Sequence, residues 1–328
     1  MASGIGLVFP GQGSQSVGMG RAFYEAVPAV RKVYEEAEAV LGYDVASLCF
    51  HGPADRLNLT EFTQPALLVT SIAAFRLLDL TGIRVVAVAG HSLGEYSALV
   101  AAGGLTFADA VSLVQKRGRY MAEAVQSGSG LVAAILGVGP EIVKEACRRA
   151  SVVGVVTPAN YNCPGQIVIA GEKAAVERAI ELVKTQGCRK AVPLPVSVPV
   201  HTPLMQVAAD RLAEDVTAAR WSDLTIPLVN NAEAKALQRA ADLRASVVRQ
   251  LPSPVLWDDS VRTMSAMGVD TFIEVGPGTV LTGLIRRILP GTATHQVQDP
   301  TSLEATLNAL TAKHQPIERP QSMCNPHE

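Results

Sequence analysis

"AVAGHSLGEYSALVAAGG", residues 87–104, joins a short apolar run to a helix-like run through a serine held between two glycines. Gly90-His91-Ser92-Leu93-Gly94 is G-x-S-x-G, and a strand-to-helix junction is the context in which that pattern forms a nucleophile elbow. The turn is so sharp that the residues two before and two after Ser92 nearly touch, and only glycine leaves room for this. Ser92 is thereby lifted out at a helix N-terminus, where the dipole and free N–H groups favour negative charge. The Leu93 N–H is placed to bond an oxyanion on a carbonyl under attack. The competing reading is a strand–helix turn whose glycines serve packing alone.

Working outward from the elbow, short apolar runs alternate with helical patterns along most of the chain. "GIGLVF", "RVVAVA", "IPLVN" and "TFIEV" read as strands, each followed by a segment of helical composition, which is the α/β signature. Between Gly128 and Ser197 the rhythm tightens into strand, helix, strand, strand, helix, strand: "GLVAAIL", "PEIVKEACRRA", "VVGVVTPAN", "QIVIAG", "EKAAVERAIELVKTQ" and "KAVPLPV". This is the β-α-β-β-α-β order of ferredoxin-like units. The expected architecture is a large α/β domain over 1–127 and 198–313, a small inserted ferredoxin-like domain over 128–197, and a cleft where they meet. Residues 314–328, rich in proline and without period, are expected to be a disordered tail.

The chain of 328 residues is 48% hydrophobic with a formal net charge of −2, enough for a sizeable core and without a basic run that would call for nucleic acid or an anionic membrane. "MASGIGLVFPG" lacks the pattern of a secretory leader and no run reaches bilayer length, so a cytoplasmic protein is expected. Cys49, Cys147, Cys163, Cys188 and Cys324 are scattered and odd in number, which argues against a disulfide framework and against a zinc or other metal site. Monomer is the default expectation.

A serine nucleophile needs a base. His91 adjoins the serine and points elsewhere, while His314 and His327 lie in the tail, leaving His51, His201 and His295. His201 is favoured because Thr202 and Pro203 read as the N-cap and first residue of an amphipathic helix carrying Leu204, Ala208, Leu212 and Val216. An imidazolium is disfavoured just ahead of a helix N-terminus, which keeps the ring able to accept a proton. His51 reads as a loop residue.

Thr106 and Asp109 form a capping-box-like start to the helix "FADAVSLVQKRGRYMAEAV". At 100° per residue Arg117 falls among Ala110, Leu113, Val114, Met121 and Ala124, on the face turned to the core. A buried cation requires an anion, either an internal Asp or Glu or a substrate carboxylate. Because this helix follows the one that starts at Ser92, a carboxylate-bearing substrate is a serious candidate, and guanidinium grips a carboxylate through two parallel hydrogen bonds. "GQGSQ" fails as a dinucleotide loop, since the third glycine position is Ser16.

Eight stretches in order, "FPGQGSQSVGMG", "FTQPALLVTS", "GHSLGEYSALVAAG", "QKRGRYM", "NYNCPGQIVIAG", "PVSVPVHTPLM", "RQLPSPVLW" and "FIEVGPGTVLTGL", resemble the malonyl-CoA:acyl carrier protein transacylases of fatty-acid synthesis, from about Gly4 to about Leu310. The resemblance implies an α/β-hydrolase-like large domain with a ferredoxin-like insertion. It also implies Ser92 as nucleophile, His201 as base oriented by the main-chain carbonyl of Gln250, Arg117 as clamp on the malonyl carboxylate, and the N–H groups of Gln12 and Leu93 as oxyanion hole. Asn162 and Gln166 would border the cleft from the small domain. No resident cofactor is implied; malonyl-CoA and holo acyl carrier protein are the partners. Related polyketide acyltransferases carry Phe or Ser before the matching histidine, where this chain has Val200, and malonyl remains the expected acyl group because Arg117 is present and Leu93 follows the serine. Alternatives are a stand-alone acyltransferase loading polyketide synthase carriers, a serine hydrolase, and a catalytically silent carrier-docking module.

Overall fold

The computed structural model of the protein describes residues 4–314, apart from Asp79, Ser127 and residues 195–197. In chain order its strands are β1 (Ile5–Phe9), β2 (Val85–Gly90), β3 (Gly130–Leu136), β4 (Val156–Cys163), β5 (Gln166–Glu172), β6 (Lys190–Pro193), β7 (Leu228–Val229), β8 (Ala236–Leu237), β9 (Thr271–Val275) and β10 (Ala293–Val297). They form a mixed α/β fold with two sheets. One sheet has the order β10-β9-β1-β2-β7-β8 and is parallel except for β8; the other has the order β4-β5-β3-β6 and is antiparallel throughout.

The larger sheet is buried on both faces, as parallel sheets generally are. Along β1 the side chains alternate: Ile5, Leu7 and Phe9 enter one apolar cluster with the helices Thr60–Phe75 and Phe107–Glu123. Val8 enters the opposite cluster with Trp257, Val261, Phe272 and Ile285. Each such side chain contributes about 1.5–3 kcal/mol on burial. The smaller sheet packs its own cluster against the helices Pro140–Ala150 and Lys173–Thr185.

Two strands differ from the sequence reading. "IPLVN" pairs only through Leu228 and Val229, and "ATHQV" forms the edge strand β10, whose half-buried side chains lack the apolar alternation that marks a strand. The helix Pro300–His314 includes His314, which was expected in the tail; residues 315–328, with Cys324 and His327, lie outside the described residues. Cys49, Cys147, Cys163 and Cys188 are free thiols. Among the described residues no helix is long and apolar enough to cross a membrane.

Candidate active site

Ser92 sits between β2 and the helix Gly94–Ala101 at φ 51°, a left-handed conformation rare for a residue with a side chain. The glycines on either side are a steric necessity. A Cβ on Gly90 would overlap the Gly94 carbonyl, and one on Gly94 would overlap the Phe9 carbonyl of the neighbouring strand. Because β1 and β2 are adjacent and parallel, with Phe9 opposite Gly90, the loop leaving β1 lies beside the elbow, and the His91 N–H donates to Phe9 O at 3.0 Å. Gln12 is thereby brought to the same cavity as Ser92 and Leu93. The backbone N–H groups of Gln12 and Leu93 have no acceptor among the described residues.

His201 is 2% exposed and adopts φ 60°, in a turn closed by the Thr202 hydroxyl donating to Pro199 O at 2.7 Å. Its Nε2 lies 2.7 Å from Ser92 Oγ, while Nδ1 lies 3.1 Å from both Gln250 O and Ser253 O. Carbonyl oxygens only accept, so Nδ1 carries the hydrogen and Nε2 is free to take the serine proton. The expected N-cap is absent: the Thr202 side chain does not cap, a short 3-10 turn over Pro203–Met205 intervenes, and the helix begins at Gln206. The neutrality of the ring has another cause. Burial, seconded by the Arg117 charge, pushes the imidazole down to about 3. Of the other candidate bases, His51 ends a short helix at the surface and His295 sits in edge strand β10 opposite Ile273; neither reaches the cavity.

Arg117 is 1% exposed, on the buried face of its helix. Its guanidinium donates to Gln64 Oε1 at 2.7 Å, Gln250 Oε1 at 3.0 Å and Ser92 Oγ at 3.1 Å, three uncharged acceptors. No acidic side chain forms an ion pair with it among the described residues, although Glu95 acts on it at longer range. Burial lowers its pKa. The cation is therefore solvated by fixed dipoles, with one nitrogen against Ser92 Oγ.

The cavity holds about 90 Å³ and its roof comes from the smaller sheet. Val132, Asn160, Val168 and Leu194 face Met121, Val200, Arg117 and the Ser92–His201 pair across it. Of the two cleft residues expected from the smaller sheet, Asn162 is not in the lining; its Oδ1 accepts from His91 Nε2 at 2.9 Å, and His91 itself lines the cavity. Gln166, at the start of β5, is likewise not in the lining; it accepts from Arg287 at 2.6 Å, and Asn160 lines the cavity.

The sequence reading missed three polar side chains that hold the site. Asn231 accepts from Ser92 N at 2.6 Å and donates to Gly90 O at 2.7 Å, bridging both arms of the elbow just beyond β7. Glu95, 0% exposed, accepts from Asn231 N at 2.8 Å. Gln64 holds Arg117 from a helix buried on every side, so no periodicity marks it; a glutamine inside the apolar run "TQPALLV" is the signal it leaves. Gln250 does more than offer its carbonyl to His201, since its side chain also joins Arg117 to Ser92 O.

A serine 2.7 Å from a neutral histidine, two N–H groups without acceptors among the described residues and a buried guanidinium with no direct ion pair, all around one cavity, fit an acyl-transferring serine enzyme. The profile of the acyl transferase domain family matches residues 7–304, and the chain belongs to that family. It is 49% identical over 301 residues to the malonyl CoA-acyl carrier protein transacylase of Salmonella typhimurium, covering 92% of this chain and 97% of that one. Among solved structures, an acyl carrier protein S-malonyltransferase from Vibrio cholerae superposes with a TM-score of 0.89 at 46% identity, over 92% of this chain and 99% of that one. A malonyl-transacylase solved in complex with a type II polyketide synthase acyl carrier protein gives 0.91 at 44% identity, over 94% and 100% of the two chains.

Proposed function

We propose that this protein transfers a malonyl group from coenzyme A to the phosphopantetheine thiol of an acyl carrier protein, in fatty-acid synthesis, through a malonyl ester on Ser92. The observation that carries the reading is the buried Arg117 guanidinium, held by neutral partners and touching Ser92 Oγ at 3.1 Å. A dicarboxylic acyl group with a single carbon between its two carbonyl carbons can place one on Oγ and the other on that guanidinium. The names of the relatives above agree with this donor and acceptor.

His201 Nε2 takes the proton as Ser92 Oγ attacks the thioester carbonyl. The oxyanion is received by the N–H groups of Gln12 and Leu93, a contribution for which one donor typically matters by about 10²–10³ in rate. The C–S bond then breaks, His201 returns the proton to the coenzyme A thiolate, and malonyl-Ser92 remains. In the second half the carrier thiol attacks the ester, with His201 again as base. The residues call for no resident cofactor, and coenzyme A enters as substrate.

Mixing the protein with malonyl-CoA should add one malonyl mass, located on Ser92, and added holo carrier should remove it to its own thiol. Initial-rate lines against malonyl-CoA at several carrier concentrations should run parallel; intersecting lines would mean direct transfer without the ester. Predominant release of free malonate would move the assignment to a hydrolase.

We further read residues 1–127 and 198–313 as an α/β-hydrolase-like domain and residues 128–197 as a ferredoxin-like insertion. In support, the smaller sheet follows β-α-β-β-α-β order with its second, third, first and fourth strands side by side, all antiparallel. A cytoplasmic monomer is the state proposed for the chain.

A further inference from the structure

Among the described residues Glu95 is the one acidic side chain of the buried network around Arg117, and the transfer mechanism leaves it unused. Its Oε2 accepts from Asn231 N, whereas Oε1 is buried without a hydrogen-bond partner. A chain of contacts ties it to the cation: Arg117 donates to Gln250 Oε1, Gln250 Nε2 approaches Asn231 Oδ1 at 3.5 Å, and Asn231 N donates to Glu95. With Arg117 charged and His201 neutral, the empty site is balanced when Glu95 is ionised. A malonyl carboxylate arriving at Arg117 brings a second anion to one buried cation, and net charge in a low-dielectric interior is unfavourable.

We propose that Glu95 is the proton acceptor that balances this charge, taking up a proton when the malonyl carboxylate binds Arg117 and so making malonyl recognition, unlike recognition of an uncharged acyl group, pH-dependent. The inference rests on the assignment of Arg117 as the malonyl clamp. Oε1, which has no geometric hydrogen-bond partner among the described residues, is the oxygen left to carry the proton, and Oε2 can accept from Asn231 in either state, so the elbow stays in place. Burial already pushes the carboxyl up to about 7, opposed by Asn231, Gln250 and Arg117. The other titratable groups of the cluster do not compete. Burial holds His201 and His91 neutral, lowering both, and Tyr96, on the same helix as Glu95, is pushed up to about 12.

The sign follows from linkage: a complex that binds more protons than the free protein loses affinity as pH rises. Each unit by which the bound carboxylate raises the Glu95 pKa corresponds to about a tenfold weakening across the titration. The test is binding of malonyl-CoA and of acetyl-CoA to Ser92→Ala, which binds without turnover, by calorimetry in two buffers of different ionisation enthalpy near pH 8. The expected result is proton uptake with malonyl-CoA in excess of that with acetyl-CoA, and about tenfold weaker malonyl binding at pH 8.5 than at pH 6. Adding Glu95→Gln, which keeps an acceptor for Asn231 N and is permanently neutral, should abolish the excess uptake and flatten the profile. Equal uptake for the two ligands, or a profile unchanged by Glu95→Gln, overturns the proposal. If Glu95→Gln does not fold, the uptake measured on Ser92→Ala alone decides. Should Arg117→Ala bind malonyl-CoA as well as the parent does, the clamp assignment itself has failed.

Discussion

Replacing Arg117 by alanine should convert a malonyl-selective enzyme into one that treats malonyl and acetyl groups nearly alike. The magnitude follows from the state of the guanidinium. It is 1% exposed and its three hydrogen-bond acceptors are all uncharged, so no direct ion pair competes with the substrate carboxylate for it. Breaking a buried, hydrogen-bonded ion pair costs about 3–5 kcal/mol. At about 1.36 kcal/mol per factor of ten, this is a fall of roughly 10²–10⁴ in kcat/KM for malonyl-CoA. Acetyl-CoA, which makes no such pair, should lose no more than the contact between Arg117 and Ser92 Oγ contributes. The deletion also leaves Gln64 Oε1 and Gln250 Oε1 without a donor, about 1–3 kcal/mol each, offset by removal of a desolvated cation. Rates are therefore compared per folded molecule, with the folded fraction taken from the thermal transition. Arg117→Lys is the partner experiment, because lysine keeps the charge but not the two parallel donors, and it should fall between the parent and alanine. An unchanged malonyl to acetyl ratio in Arg117→Ala, with the protein folded, would refute the reasoning.

The depressed His201 pKa predicts that kcat/KM for acetyl-CoA, which leaves Glu95 uninvolved, stays level as pH falls through 6.5 and declines only toward about 3, where the base becomes protonated. An acid limb near 6.5 in the rate profile contradicts this, and Arg117→Ala should move the limb upward because that charge is the second cause of the depression. Asn231→Ala leaves Ser92 N and Gly90 O without their partners, so stability should fall by about 1–3 kcal/mol for each group; the burst rate of Ser92 acylation should fall with it, and a protein melting and acylating like the parent would show that the elbow holds itself.

Gly90, Gly94 and the capping pair were legible in the sequence because the chemistry behind them is local. Backbone crowding in a five-residue turn admits only glycine, and Thr106 does cap its helix by accepting from Asp109 N at 3.1 Å. Arg117 was legible through helical periodicity, which placed a cation on an apolar stripe and so demanded an explanation. The β-α-β-β-α-β segment was likewise readable, since each element is long enough to carry its own period. Asn160, rather than Gln166, lines the cavity, and the sequence around Gln166 carries no sign of its hydrogen bond with Arg287.

The sequence by itself determined that a serine would stand at an elbow, that His201 and Arg117 were its plausible companions, and that the family was an acyltransferase. Only the tertiary structure decided what surrounds them. Asn231 meets Ser92 across 139 positions of chain, Gln250 meets Arg117 across 133, and Glu95 meets Asn231 across 136. Such contacts leave no periodic or spacing signal, because they arise where the carboxyl ends of parallel strands converge. The same convergence sets the charges: His201 is neutral and Glu95 holds its proton to about 7 because both are buried, and burial is a property of the folded chain rather than of its neighbours in sequence.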